Sequence, residues 1–122
     1  MSFDVKKPGN QIELVTKVAT IGEFRDLAKT LRRLCPLIRT KVRVTQGRVP
    51  PGYAAYFNEN ADLSGGHIVV SDSICHLATE DCLIHEWTHA WMLDDEHPEW
   101  YLHQDSFWTR HGELYRAFHR EK

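Results

Sequence analysis

The sequence predicts an α+β fold, with a small, mostly antiparallel sheet packed on a central helix and further helices on the N-terminal and C-terminal sides. Three observations predict it. Segments at 21–34, 79–93 and 103–119 have helical character. Three short β-branched or alternating segments lie between the first two of these helices. No internal repeat or low-complexity tract interrupts the order, so we expect one domain spanning residues 1–122.

The composition is that of an ordinary globular domain. Of 122 residues, 42% are hydrophobic and 26% are charged, which is enough to build a buried core. The formal net charge of −2 predicts neither a nucleic-acid partner nor a membrane partner. There is no apolar run of membrane-spanning length and no secretory signal, so we expect a soluble, cytoplasmic protein with reduced cysteines. The composition makes no prediction of oligomeric state.

The N-terminal segments predict a lead-in, a strand and a helix. Residues 1–10 include Lys, Pro, Gly and Asn and are expected to be mobile. Apolar and β-branched residues occupy every second position over 12–18, which indicates a short strand. Thr20 and Glu23 have the spacing of a capping box, which opens an amphipathic helix that ends at Pro36.

Three strands are predicted between this helix and the next. Thr40–Thr45 and Tyr53–Asn58 carry the β-branched and aromatic residues typical of strands. The segment from Asn58 to Gly66 is expected to be a turn because it ends in two glycines. His67–Ser71 is the strongest strand pattern in the chain.

The chemistry of the chain centres on the helix that carries H-E-x-x-H. His85 and His89 are four residues apart, so on a helix they share one face and can offer two imidazoles to one metal ion. Glu86 stands beside them as a carboxylate that can accept a proton. Thr79 is the expected N-cap of this helix. The alternative is a buried polar trio satisfied by ordinary hydrogen bonds.

A catalytic zinc site usually takes three protein ligands, so a third is expected after His89. His103 is our prediction, because it opens a new helix after a loop long enough to reverse the chain. The other candidates are His97, His111, Glu96 and Glu99. Cys82 lies three residues before His85 and is a further possible ligand, although a packing thiol is the more common role for such a residue.

These residues resemble the SprT-like (Spartan-type) zinc metallopeptidases, including small phage-encoded members of that family. In the family, H-E-x-x-H is followed about fifteen residues later by a His that opens a helix, with an aromatic residue four positions after it. Here His103 and Phe107 occupy those positions. Gln104 stands where the family often has Gly. The resemblance covers mainly residues 79–118.

The resemblance implies a zincin fold and hydrolysis of peptide bonds in a protein or peptide substrate. Zn²⁺ would be held by His85, His89 and His103, and Glu86 would act as the general base for a metal-activated water. A phage-encoded member would act in the host cytoplasm. We expect the strand at 67–71 to lie along the cleft, with its edge pairing with the substrate.

Several roles stay open at this stage. His111, Tyr101 and Tyr115 are candidate donors to a reacting carbonyl, and Trp100 and Trp108 are candidates for either a substrate pocket or the core. The main alternative function is a non-catalytic metal-binding or protein-binding module with the same fold. A nucleic-acid-associated protein using the basic face of helix 21–34, and a metal-dependent hydrolase of another substrate, are further alternatives.

Overall fold

A computed structural model describes the backbone of residues 2–6 and the chain from 18 to 121. Its elements are β1 (Ser2–Lys6), α1 (Ile21–Leu34), β2 (Lys41–Gly47), β3 (Tyr53–Glu59), β4 (Gly65–Ser71), α2 (His76–Asp94) and α3 (Asp105–Arg120). The predicted α+β class is confirmed. The predicted strand over 12–18 lies outside the described residues except for Val18, which forms a single antiparallel bridge with Cys75.

The four strands form one mixed sheet in the order β1-β3-β4-β2. β1 pairs with β3 and β3 with β4 in antiparallel fashion, whereas β2 and β4 are parallel. The sheet is therefore mostly antiparallel, as predicted, but the parallel pair was not predicted. Strand β1 was not predicted either, because the alternation of Phe3 and Val5 with polar residues covers only five residues. Its pairing with β3 joins segments that are distant in the chain.

The central position of β4 corrects one prediction about substrate binding. β4 has β3 on one side and β2 on the other, so both of its edges already form strand pairs. A strand with two neighbours has no edge to offer to an extended peptide. The expected pairing of the 67–71 strand with a substrate is therefore wrong for this sheet.

The two glycines that were expected to form a turn belong to β4 instead. A Cβ atom on Gly65 would lie 1.9 Å from the carbonyl oxygen of Lys41, and one on Gly66 would lie 2.5 Å from a ring carbon of Phe57. Both positions are buried. The glycines thus allow the neighbouring strands to approach β4 closely, and they do not form a turn.

Helix α1 confirms the predicted capping box. The Glu23 N–H donates to Thr20 Oγ1 at 3.1 Å, and the Thr20 N–H donates to Glu23 Oε1 at 2.9 Å. Phe24, Leu27 and Leu31 form the buried side of this helix. Its basic outer face, defined by Arg25, Lys29, Arg32 and Arg33, is exposed.

Helix α2 begins one turn earlier than predicted, and the assignment of Thr79 as its N-cap is wrong. Cys75 is the extended residue before the helix, and the Thr79 hydroxyl donates to the Cys75 carbonyl at 3.0 Å from inside the first turn. α2 contacts the sheet, α1 and α3. It is buried on nearly all sides because neighbours surround it.

The far end of α2 is fixed to the loop before β2 by Asp94. This carboxylate accepts hydrogen bonds from the backbone N–H groups of Ile38, Arg39 and Thr40 at 2.9, 2.6 and 2.8 Å. Asp94 is only 5% exposed, so these donors offset the cost of burying its charge.

Among the described residues, no helix combines the length and the apolar character needed to cross a membrane.

Candidate metal centre

Three imidazoles from two segments of the chain converge at the surface of α2. His85 and His89 lie one turn apart on this helix, and His103 lies two residues before α3. The Nε2 atom of His103 is 3.1 Å from Nε2 of His85 and 3.1 Å from Nε2 of His89. Within the described residues these three side chains form a group whose ligand atoms all lie within 4.8 Å of one another.

The spacing of the nitrogens fits a tetrahedral metal ion. Two imidazole nitrogens bound to zinc at about 2.0–2.1 Å lie about 3.3 Å apart in tetrahedral geometry. The measured separations of 3.1 Å are close to this value. Neutral imidazole is also a ligand that zinc prefers. Two of the three nitrogen separations and the chemistry of the donors are therefore compatible with zinc.

Burial decreases across the three rings. His89 is completely buried, His85 is half-buried and His103 is exposed. The group is therefore anchored in the core on one side and reaches solvent on the other. An ion held here can be approached by a ligand from the solvent side.

The ring of His89 is oriented by a backbone group. Its Nδ1 lies 2.6 Å from the carbonyl oxygen of Trp100, which can only accept, so Nδ1 carries the proton and donates. The lone pair is then on Nε2, the atom that faces His103. Such a second hydrogen bond is typical of imidazoles that bind metals. Sequence reasoning missed this partner, because a backbone carbonyl leaves no trace in the residue pattern.

Phe107 packs against all three imidazoles. Its ring centroid lies 4.9 Å from that of His85, 4.4 Å from that of His89 and 5.1 Å from that of His103. The side chain is completely buried. One aromatic ring thus restricts the rotation of all three candidate ligands, which pre-organises the group.

Glu86 is positioned by the same helix turn as His85. It follows His85 directly and is completely buried, as are Ile84 and Trp87 on either side of the pair. A buried carboxylate interacts more strongly with a nearby cation or proton than one in water. A carboxylate that can take up a proton thus directly follows one of the three nitrogen donors in the chain.

His111, a candidate from the sequence, lies at the edge of the group. Its ring centroid is 6.0 Å from that of His85, and it stacks on Phe107. Burial, with a smaller effect of His89, lowers the pKa of His111 below its usual value. His111 is therefore expected to be uncharged at neutral pH.

The other aromatic candidates divide between the core and the surface. Trp100 packs against the hydrophobic core, with its ring 6.0 Å from that of Phe57. Tyr101 is 53% exposed and its ring packs against that of Trp100. The ring of Tyr115 stacks on that of His111, with 6.1 Å between the ring centroids. Trp108 is half-exposed and lies directly beside the imidazoles.

Two of the alternative third ligands, Glu96 and His97, have other partners. Glu96 forms an ion pair with Arg39 at 2.7 Å, and His97 Nδ1 accepts a hydrogen bond from the Glu99 N–H at 3.1 Å. His67 lies on β4 beside Thr45, as expected of an ordinary strand residue. None of these side chains belongs to the converging group.

Cys82 behaves as a packing residue. It is 2% exposed and does not belong to the converging group. Burial, together with the charge of Glu86, raises the pKa of its thiol to about 12. A thiol that stays protonated at neutral pH is a poor metal ligand.

A polar cavity begins one residue after His103. It has a volume of about 430 Å³ and is lined by Glu99, Gln104, Asp105 and Ser106. Three of its four lining residues directly follow His103 in the chain.

Comparisons with models of protein families, with curated proteins and with solved structures find no match for this chain. What is said of its function therefore rests on the residues and their geometry.

Proposed function

We propose that this protein is a zinc-dependent metallopeptidase with a zincin fold, of the SprT-like kind that its H-E-x-x-H helix resembles. The observation that carries the proposal is the convergence of the His85, His89 and His103 Nε2 atoms at spacings suited to one tetrahedral ion. The presence of Glu86 within the same helix turn adds the general base that such hydrolysis needs.

Three ligands favour catalysis over a purely structural site. Structural zinc sites are usually closed by four protein ligands, whereas catalytic sites use three and leave one position for water or substrate. The converging group among the described residues has three members, and its His103 side is exposed to solvent. This observation argues against the alternative of a non-catalytic module, since such a module needs neither the open side nor Glu86.

Metal binding, proton transfer and positioning of the ligands are assigned to different residues. His85, His89 and His103 would hold zinc, which supplies a Lewis acid for the substrate carbonyl and lowers the pKa of a water molecule. Glu86 takes the proton from the attacking water and returns it to the leaving amine. The Trp100 carbonyl and the Phe107 ring keep the imidazoles in position throughout.

Replacing Glu86 with Gln tests the catalytic role. Because Gln is close in size but cannot act as a base, Glu86→Gln should retain zinc and lose at least about a hundredfold in peptide cleavage. The measurements are zinc content by elemental analysis and cleavage of an unfolded protein substrate by the purified, zinc-loaded protein. Glu113→Gln is the matched control, since Glu113 is exposed on α3 and the same charge is removed.

Undiminished cleavage by the Glu86→Gln variant would contradict the assigned role of this carboxylate. If the zinc-loaded wild-type protein cleaves no peptide, the non-catalytic module becomes the better account.

A further inference from the structure

An aromatic side chain stands exposed beside the candidate metal centre. Trp108 lies in the first turn of α3 and half of its side chain surface, 50%, is exposed. Trp combines a large apolar surface with a donor N–H, and such residues are enriched at binding interfaces.

The indole ring is held in one orientation. Its Nε1–H donates to the carbonyl oxygen of His103 at 3.2 Å, and its centroid lies 4.9 Å from that of Phe107 and 5.5 Å from that of His111. These contacts restrain the ring while leaving half of it open. A ligand that packs on Trp108 therefore meets a surface that is already ordered, which lowers the entropy cost of binding.

The ring also lies within one side-chain length of the candidate ligands. Its centroid is 6.0 Å from the His85 ring and 6.0 Å from the His103 ring. A substrate whose carbonyl is bound at the three imidazoles would bring the side chain next to that carbonyl into reach of the indole. Trp108 contacts two of the three imidazole ligands, so the two surfaces form one continuous site.

We propose that Trp108 is a specificity-determining residue that binds an apolar, preferably aromatic, side chain adjacent to the scissile bond. This inference rests on the proposed function, because it names the substrate side chain that the same site would select. Offset or edge-to-face packing of an aromatic ring on Trp108 would add binding energy beyond the area buried.

A cationic side chain is the competing occupant, since Trp also attracts Lys and Arg through its ring face. The surroundings disfavour it. The ring contacts of Trp108 are to His85, His103, Phe107 and His111, three of which are imidazoles that become cationic when protonated. A zinc ion on the nearby imidazoles would add positive charge and repel a second cation.

Amino-acid hydroxamates test the inference without requiring turnover, because the hydroxamate group binds zinc directly. We expect phenylalanine hydroxamate to bind the zinc-loaded protein about tenfold more tightly than glycine hydroxamate. Lysine hydroxamate should show no such gain. Calorimetric titration measures the three affinities. Trp108→Ala should remove the preference for phenylalanine hydroxamate and should have little effect on the affinity for glycine hydroxamate.

Two further variants separate a binding role from a structural one. Trp108→Phe keeps an aromatic surface and should keep most of the preference. Leu77→Ala removes an exposed apolar side chain in the first turn of α2 and should leave all three affinities unchanged.

The inference would be overturned by equal affinities for phenylalanine and glycine hydroxamates, by tighter binding of the lysine compound, or by a preference that survives in Trp108→Ala. A parallel peptide-cleavage assay keeps the two proposals apart. A Trp108-dependent preference without any cleavage contradicts the peptidase function but retains Trp108 as a ligand-binding residue, whereas cleavage without the preference contradicts only this inference.

Discussion

At the residue scale, the geometry of the candidate centre depends on side chains that could not bind a metal themselves. Phe107 is completely buried and its ring lies within 5.1 Å of each of the three imidazole rings, measured between centroids. Without it, the rings of His85, His89 and His103 would gain freedom to rotate. Ordering them on binding would then cost entropy that the native packing has already removed.

Replacing Phe107 with Ala should therefore weaken zinc binding as well as stability. We expect a loss of about 3–5 kcal/mol in the free energy of unfolding and a fall of about tenfold or more in zinc affinity. Denaturant unfolding and competition with a chromophoric chelator measure the two quantities.

Phe118→Ala is the matched control, since Phe118 is also buried on α3 but belongs to the core cluster, and its ring contact is with His119. It should lower stability by a similar amount and leave the zinc affinity of the folded protein nearly unchanged. If both variants lose zinc affinity equally, Phe107 has no specific role in positioning the ligands.

At the element scale, the two ends of the central helix are fixed by different means. Cys75, the residue before α2, forms an isolated antiparallel bridge with Val18. The last residue of α2, Asp94, accepts three backbone hydrogen bonds from the loop before β2. Burial alone raises the pKa of the Asp94 carboxyl, but the hydrogen bonds from Ile38, Arg39 and Thr40 outweigh it, so the pKa is below its usual value.

A depressed pKa makes the contribution of Asp94 dependent on pH. The folded state binds the proton less tightly than the unfolded state, so the stabilisation is complete above the unfolded pKa of about 3.9 and is lost as pH falls through the lower folded pKa. Asp94→Asn should lower the free energy of unfolding at neutral pH by about 1–3 kcal/mol. In this variant the free energy of unfolding should also decrease less steeply as the pH falls.

The measurement is denaturant unfolding from roughly pH 6 to pH 2.5, a window that brackets the usual carboxyl pKa. Asp62→Asn is a useful control, because the pKa of Asp62 is also lowered, by hydrogen bonds with Ser64, but the side chain is exposed. Identical stability and identical acid sensitivity in wild type and Asp94→Asn would rule out the proposed role of Asp94.

Local signals explain which elements the sequence could predict. The start of α1 follows from the Thr20–Glu23 capping box, whose partners are three residues apart, and its end from Pro36. The start of α2 was misplaced because Thr79 has the chemistry of an N-cap but uses its hydroxyl inside the first turn. The parallel pairing of β2 with β4, and the position of β3 on the far side of β4, depend on contacts between distant segments and have no local signature.

The same reasoning applies to the candidate site. His85, Glu86 and His89 were found from helical spacing, and His103 from its place at the start of a helix. The Trp100 carbonyl, the shared contact with Phe107 and the exposure of Trp108 could not be found in this way, because each depends on how the segment from 95 to 108 folds back on α2.

At the scale of the whole molecule, the candidate centre exists only when α2 and the segment leading into α3 are packed together. His85 and His89 come from the centre of the chain's most buried helix, and His103 comes from beyond the loop that reverses the chain. Zinc binding and folding should therefore be linked, so that zinc stabilises the folded chain by mass action.

The most direct test of the account is the zinc content of wild type compared with His103→Ala, measured by elemental analysis after dialysis against a limited excess of zinc. Wild type should hold about one zinc ion per chain. His103→Ala should lose most of it, and the control His67→Ala, which removes an imidazole from β4, should retain it. Full zinc occupancy in folded His103→Ala, or a folded wild-type protein that takes up no zinc, would contradict the three-histidine centre.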